Sequence, residues 1–186
     1  MKKRWFLKVY IINKFFLELI LLIGLSILFF VIMEIFGHQE SSFLWGGALI
    51  IFSLSKVFFL ITKTMQKLDK LTKNNHSFDH LLILLSITIS IIILSFAFDY
   101  LCLSEIYNDA FLGIDPSHSV GYRFIDLLYF SIVTFTNVGY GDITPLIPFA
   151  KLIAVLQMIT AFVVLVFIIS KYFKNNQNER QTNENR

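Results

Sequence analysis

Glycine recurs at every second position in the stretch from Thr136 to Asp142, which is T-N-V-G-Y-G-D. Glycine adopts positive φ values that are closed to most other residues, so Gly139 and Gly141 can alternate in backbone handedness with their neighbours. A chain that alternates in this way can direct successive carbonyl oxygens toward one side. Carbonyl oxygens so directed can replace the hydration shell of a cation. The stretch therefore indicates a cation site built from backbone rather than from catalytic side chains.

The chain around this stretch has the composition of a membrane protein. It has 186 residues, of which 56% are hydrophobic and 16% are charged. Its mean hydropathy is +0.70, and soluble domains carry about 25% charged residues. The net charge of +3 is too small and too dispersed to indicate nucleic-acid binding. We therefore expect the lipid bilayer, and no nucleic acid, as its surroundings.

Four apolar runs are each long enough to cross a bilayer as a helix, which takes about 20 residues. We predict spans at residues 15–36, 43–62, 81–101 and 149–170. The first run is too long for the apolar part of a signal peptide. Lysine and arginine concentrate before the first run, between the second and third, and after the fourth. Because basic residues favour the cytoplasmic side, both termini are predicted to be cytoplasmic.

A shorter apolar run, residues 124–135, lies between the third and fourth spans and cannot cross a bilayer. We predict that it enters the membrane as a helix and turns back through residues 136–142. Irregular backbone is tolerated at that depth only where protein or water lines it. The polar, turn-rich residues 102–123 are predicted to form an extracellular loop before it.

From Asp126 to Pro145 the sequence is D-L-L-Y-F-S-I-V-T-F-T-N-V-G-Y-G-D-I-T-P, and it resembles the pore helix and selectivity filter of potassium channels. The similarity continues through residues 149–153 into the last span. The resemblance implies an all-α membrane protein with four transmembrane helices and a re-entrant pore helix and selectivity filter between the third and fourth. It also implies a potassium-selective channel subunit for passive K⁺ flux, and not an enzyme.

The resemblance also assigns roles to individual residues. The ion-binding filter is expected to comprise Thr136, Asn137, Val138, Gly139, Tyr140 and Gly141. Asp142 is expected to support the filter from behind, together with Tyr129 and Phe130 of the pore helix. One chain supplies one wall of such a filter, so four identical chains around a closed axis, a homotetramer, are expected. No cofactor is expected, and no metal beyond K⁺ as the permeant ion.

Two positions depart from the usual potassium channel pattern. Asn137 stands where threonine is usual. Its amide oxygen could replace the threonine hydroxyl, or turn away to bond backbone behind the filter, with potassium preference retained. Alternatively the innermost site is distorted, which predicts a weakly selective cation channel. Ala161 stands where an inner-helix glycine hinge is common, so bending at this possible hinge is less favoured.

The chain is predicted to have five parts. They are a cytoplasmic N-terminus (1–14), a peripheral transmembrane helix pair (15–62), a cytoplasmic linker (63–80), a pore domain (81–170) and a disordered cytoplasmic tail (171–186). The pore domain divides into outer helix 81–101, turret 102–123, pore helix 124–135, filter 136–142 and inner helix 149–170. The linker either lies on the inner leaflet or extends the second helix into solvent.

The peripheral pair does not have the repeating basic residues of a voltage sensor, because Lys56 is the only basic residue in its two spans. Lys56 either pairs with Glu18, which lies at a similar depth on the first helix, or extends alone to the interface. We interpret Lys56 as a structural residue.

The setting and the remaining alternative follow from composition and length. A bias toward Phe, Ile, Lys and Asn is typical of an AT-rich genome, so we expect a prokaryotic protein that is multi-pass in the plasma (cell inner) membrane. A non-conducting membrane subunit that regulates another channel is the alternative from a different class. The sequence indicates neither a gating stimulus nor a soluble gating partner.

Overall fold

The computed structural model describes residues 20–33, 35, 42–73 and 78–184. Helices account for most of this described part, and two very short strands complete it. In chain order the elements are α1 Ile20–Met33, α2 Ser42–Lys73, α3 Phe78–Ile106, β1 Phe111–Leu112, α4 Val120–Phe135, β2 Thr144–Pro145 and α5 Pro148–Glu184.

Three of the helices are long and apolar enough to cross a membrane. The spanning parts are Ser42–Gln66 of α2, Leu85–Ile106 of α3 and Pro148–Phe167 of α5. They correspond to the second, third and fourth predicted spans, which confirms an all-α membrane protein. The first predicted span, residues 15–36, is described only in part, as α1, so the count of four stays a prediction.

Helix α3 lies at the centre of the packing and contacts α2, α4 and α5. It is apolar around most of its circumference, and such a helix is expected to be surrounded by others. The fully buried core side chains come from all four of these helices, and they include Leu49, Ile92, Leu103, Leu127 and Ile153.

Helix α1 packs on α2 through aromatic rings. The ring of Phe29 stacks on Phe52 with centroids 4.7 Å apart, and it meets Trp45 edge-on at 6.3 Å. Offset and edge-on ring pairs stabilise helix contacts beyond their buried area. Helices α1 and α2 of the predicted peripheral pair therefore contact each other through aromatic side chains.

The helix bounds of the structure differ from several predicted boundaries. Residues 171–184, expected to be disordered, continue α5 as helix. This segment has no glycine or proline, and extending an existing helix avoids the cost of nucleation. Helix α2 continues to Lys73, and the two alternatives for the linker stay predictions. Helix α3 ends at Ile106 rather than residue 101, and α4 begins at Val120 rather than residue 124, which shortens the predicted turret.

Candidate functional site

Helix α4 positions the stretch that the sequence marks as the candidate site. One face of α4 is buried, and it packs on α3 through ring contacts of 4.9 Å between centroids, Phe98 with Phe124 and Tyr100 with Phe130. The helix has one buried and one exposed face because its apolar residues recur at helical spacing. The helix ends at Phe135, directly before the glycine-containing stretch.

Backbone handedness alternates along residues 136–142. The φ angles of Asn137, Gly139 and Gly141 are 55°, 63° and 80°, whereas Val138 and Tyr140 have no positive φ. A Cβ atom added to either glycine would meet nothing within 4 Å in the single chain. Glycine is therefore needed here for its backbone conformation and not for lack of space. All seven residues are exposed, and they form one open wall.

Tyr129 of α4 and Asp142, the last residue of this stretch, are brought together. The Tyr129 hydroxyl donates a hydrogen bond to Asp142 Oδ2 at 2.7 Å, and the N–H of Ile143 donates to Asp142 Oδ1 at 3.0 Å. The bond from Tyr129 lowers the pKa of the Asp142 carboxyl below its ordinary value and raises the pKa of Tyr129 to about 12. The carboxylate is therefore charged at neutral pH.

The other predicted site residues lie in different surroundings. Phe130 lies on the core side of α4, where its ring packs edge-on against Tyr100 and Phe111. Tyr140 is 70% exposed. Ala161, the possible hinge, is fully buried in α5, which continues through this position as helix. The roles assigned to these residues stay predictions.

A two-stranded antiparallel sheet, which was not predicted, lies next to the end of this stretch. It pairs Phe111 with Pro145 and Leu112 with Thr144, and so ties the loop before α4 to the segment after the glycines. Gly113 follows β1 with φ 89°, and a Cβ atom there would lie 2.3 Å from the carbonyl oxygen of Asp142. Only glycine allows this close approach.

Gln157 of α5 is a buried residue that sequence reasoning missed. Its Oε1 accepts a hydrogen bond of 2.6 Å from the Tyr100 hydroxyl, and its Nε2 donates to the carbonyl oxygen and hydroxyl of Ser131 at 2.9 and 2.8 Å. The Ser131 hydroxyl donates in turn to the carbonyl oxygen of Ile93 at 2.8 Å. The available signal was a lone glutamine in an apolar span, since polar residues there pair with other helices.

Lys56 forms an ion pair that differs from both predicted alternatives. Its Nζ lies 2.5 Å from Asp99 Oδ1 and 3.0 Å from Ser26 Oγ, and the side chain is 4% exposed, so it does not extend to the interface. Ser53 also donates to Asp99, at 2.7 Å. Glu18, the predicted partner, lies outside the described residues.

A family model described as an ion channel matches residues 81–178, which is more than half of the chain. The chain belongs to this ion channel family. The matched region of this family member begins in α3, includes α4 and the glycine-containing stretch, and continues into α5. Membership indicates a channel and not an enzyme, and it confirms the family inferred from the sequence.

Several potassium channels are similar to parts of this chain. "Two-pore potassium channel 4" of Arabidopsis thaliana is 34% identical over 70 residues, which cover 38% of this chain and 23% of the relative. "Two-pore potassium channel 5" of the same plant is 41% identical over 63 residues, which cover 34% of this chain and 14% of the relative. "Voltage-gated potassium channel" of Aeropyrum pernix is 40% identical over 55 residues, or 30% and 18%.

The chain matches less than a quarter of the length of each of these relatives. Plant and archaeal proteins both occur among them, so the similarities do not support the prokaryotic origin expected from composition. No solved structure is significantly similar to the chain.

Proposed function

We propose that the chain is a subunit of a homotetrameric, potassium-selective channel that passes K⁺ down its electrochemical gradient. The observation that carries this proposal is the alternation of positive φ at Asn137, Gly139 and Gly141. Such a backbone directs carbonyl oxygens to one side, as a potassium filter requires. The potassium channels to which parts of this chain are similar support the choice of ion.

The tetramer is supported by the exposure of residues 136–142 in the single chain. One such wall cannot surround an ion, and a closed ring of identical subunits supplies the others. The exposed apolar residues of α5 provide surface for lipid or for neighbouring subunits, and they include Leu152, Val155, Ile159 and Phe162. The basic residues favour cytoplasmic termini in a plasma membrane.

The test is the reversal potential of the purified full chain in planar bilayers under opposed K⁺ and Na⁺ gradients. A reversal near the potassium equilibrium potential is expected. Gly139→Ala should abolish the reversal near this potential, because alanine disfavours a φ of 63°. Gly47→Ala is the matched control, since Gly47 lies in α2 without a positive φ and has nothing within 4 Å of an added Cβ atom.

Two other outcomes would replace the proposal. A reversal near zero in the native chain would make it a weakly selective cation channel, the reading motivated by Asn137 in place of threonine. Purified tetramers that pass no current, while a known potassium channel conducts in the same bilayers, would favour a non-conducting subunit that regulates another channel.

A further inference from the structure

The glycine-containing stretch is held at both of its ends. At the α4 end, the N–H groups of Asn137 and Val138 donate to carbonyl oxygens in the last turn of the helix, at 3.2 and 3.1 Å. At the other end, the carboxylate of Asp142 accepts the hydrogen bond from Tyr129, and its backbone lies against Gly113. The position of Asp142 therefore limits where the residues between the two ends can lie.

Gly113, in the loop before α4, lies directly against the backbone of Asp142. Its φ of 89° favours glycine, and a Cβ atom there would lie 2.3 Å from the carbonyl oxygen of Asp142 and 3.3 Å from the carbonyl carbon. Ordinary contact between non-bonded heavy atoms begins at about 3.5 Å. A side chain at position 113 would therefore displace this carbonyl group by about 1 Å, unless Gly113 itself moved.

The strand before Gly113 is fixed in the core of the chain. Phe111 of β1 is 4% exposed, and its ring packs edge-on against one ring of α3 and one of α4, with centroids 5.6 and 5.5 Å apart. Phe111 also pairs with Pro145 across the two-stranded sheet, and the N–H of Leu146 donates to the carbonyl oxygen of Ala110 at 2.9 Å. Close-packed cores resist small shifts. A clash at position 113 would therefore move the exposed end of the stretch and not β1.

We propose that Gly113 is a positioning residue for the ion-binding stretch. It places the backbone of Asp142 where Tyr129 can bond the carboxylate, and so keeps the carbonyl groups that precede Asp142 in line. Gly113 acts through Asp142 and does not bind the ion. The ionic part of this inference rests on the proposed function, whereas the placement of Asp142 does not.

The first test measures the K⁺/Na⁺ permeability ratio of Gly113→Ala and Gly113→Asn in planar bilayers. Asparagine tolerates a positive φ better than alanine does, but both carry the Cβ atom that meets Asp142. Both should lower the ratio by about tenfold, because a binding site displaced by about 1 Å is no longer held in its productive geometry. Gly121→Ala is the matched control, since Gly121 is exposed, has no positive φ and has nothing within 4 Å of an added Cβ atom. Its ratio should stay within about twofold of the native value.

A second control separates positioning from a general loss of stability. Leu49 is fully buried in α2, so Leu49→Ala leaves a cavity in the core and should lower the thermal melting midpoint in detergent. Its permeability ratio should nevertheless stay native. A merely structural role for Gly113 predicts the same behaviour for the two Gly113 variants.

A further test measures the placement of Asp142 without any ion current. Tyr129→Phe removes the hydroxyl that bonds the Asp142 carboxylate, so it should lower the melting midpoint of the native chain. If a side chain at position 113 has already displaced Asp142, that bond is lost beforehand. Tyr129→Phe should then lower the midpoint of Gly113→Asn by about half as much or less, and that of Gly121→Ala by the full amount.

The outcomes separate this inference from the proposed function. A native permeability ratio in Gly113→Asn would overturn the inference. A Leu49→Ala chain that loses selectivity to the same degree would also overturn it, because instability would then explain the loss, and so would equal melting shifts by Tyr129→Phe in all backgrounds. A native chain that passes no current would overturn the proposed function, and the melting shifts would then decide whether Gly113 positions Asp142.

Discussion

Two consecutive residues of α3 are buried against opposite sides of the molecule, and they meet different chemistry. Asp99 faces the peripheral helices, where its carboxylate contacts Lys56 at 2.5 Å and accepts a hydrogen bond from Ser53 at 2.7 Å. Tyr100 faces α4 and α5, where its hydroxyl donates to Gln157 at 2.6 Å. A charged pair thus joins α3 to the peripheral side, and neutral hydrogen bonds join it to the candidate pore.

The two sides of α3 are specified in different ways within a bilayer. Apolar helix faces gain little by packing together there, because lipid tails are as apolar as leucine. A charge inside the bilayer is costly unless it is paired, so an ion pair determines which faces of α2 and α3 meet. Neutral hydrogen bonds between membrane helices contribute only about 0.6–2 kcal/mol each. Removing one polar partner should therefore lower the free energy of unfolding more on the peripheral side than on the pore side.

The largest expected effect comes from Lys56→Met, which keeps the apolar stem of the side chain and removes its charge. Asp99 would be left buried without its counter-ion. Breaking one partner of a buried ion pair costs about 3–5 kcal/mol. We expect a loss of this size in the free energy of unfolding, measured by reversible denaturation in mixed micelles.

The double variant Lys56→Met with Asp99→Leu is the control for this prediction. Replacing both charges by apolar groups of similar size is often neutral, so most of the lost stability should return. If the single and double variants were equally unstable, packing and not charge would join α2 to α3.

A smaller effect is expected from Gln157→Leu on the pore side. The variant leaves the Tyr100 hydroxyl and the carbonyl oxygen of Ser131 without this partner, at a cost of about 2 kcal/mol. The Ser131 hydroxyl keeps its bond to Ile93, which limits the loss. Met158→Leu, at an exposed neighbouring position of α5, should leave the free energy of unfolding unchanged. A loss as large as that of Lys56→Met would remove the contrast between the two sides.

Local rules predicted much of the candidate site. Alternate glycines predict positive φ at Gly139 and Gly141, and the structure has both. Bilayer thickness sets the length of a spanning helix, so three apolar runs were sufficient to predict α2, α3 and α5. The conformation of Asn137 was also within reach, because asparagine after a helix is a C-terminal signal.

The two polar networks could not be predicted in the same way, because they depend on which helix faces meet. Asp99 lies close to the predicted end of the third span, at residue 101, whereas α3 continues to Ile106 and so buries it more deeply. Lys56 was consequently assigned to a different partner or to the interface. The strands β1 and β2 have two residues each, which is too short for an alternating pattern to mark them.

The finest comparison uses two hydroxyl deletions, Ser53→Ala in α2 on the peripheral side of α3 and Tyr100→Phe on the pore side. Ser53 donates to the Asp99 carboxylate, and hydrogen bonds to charged groups contribute about 1.5–3 kcal/mol, against about 1 kcal/mol for the neutral bond of Tyr100. Phenylalanine keeps the ring, which packs edge-on against Phe111 and Phe130, so Tyr100→Phe removes little besides the hydroxyl. In the same micelles, Ser53→Ala should therefore lower the free energy of unfolding about twice as much as Tyr100→Phe. Equal losses would mean that Lys56 alone compensates the buried Asp99 carboxylate. Charge would then not distinguish the two sides of α3 at the level of single hydrogen bonds.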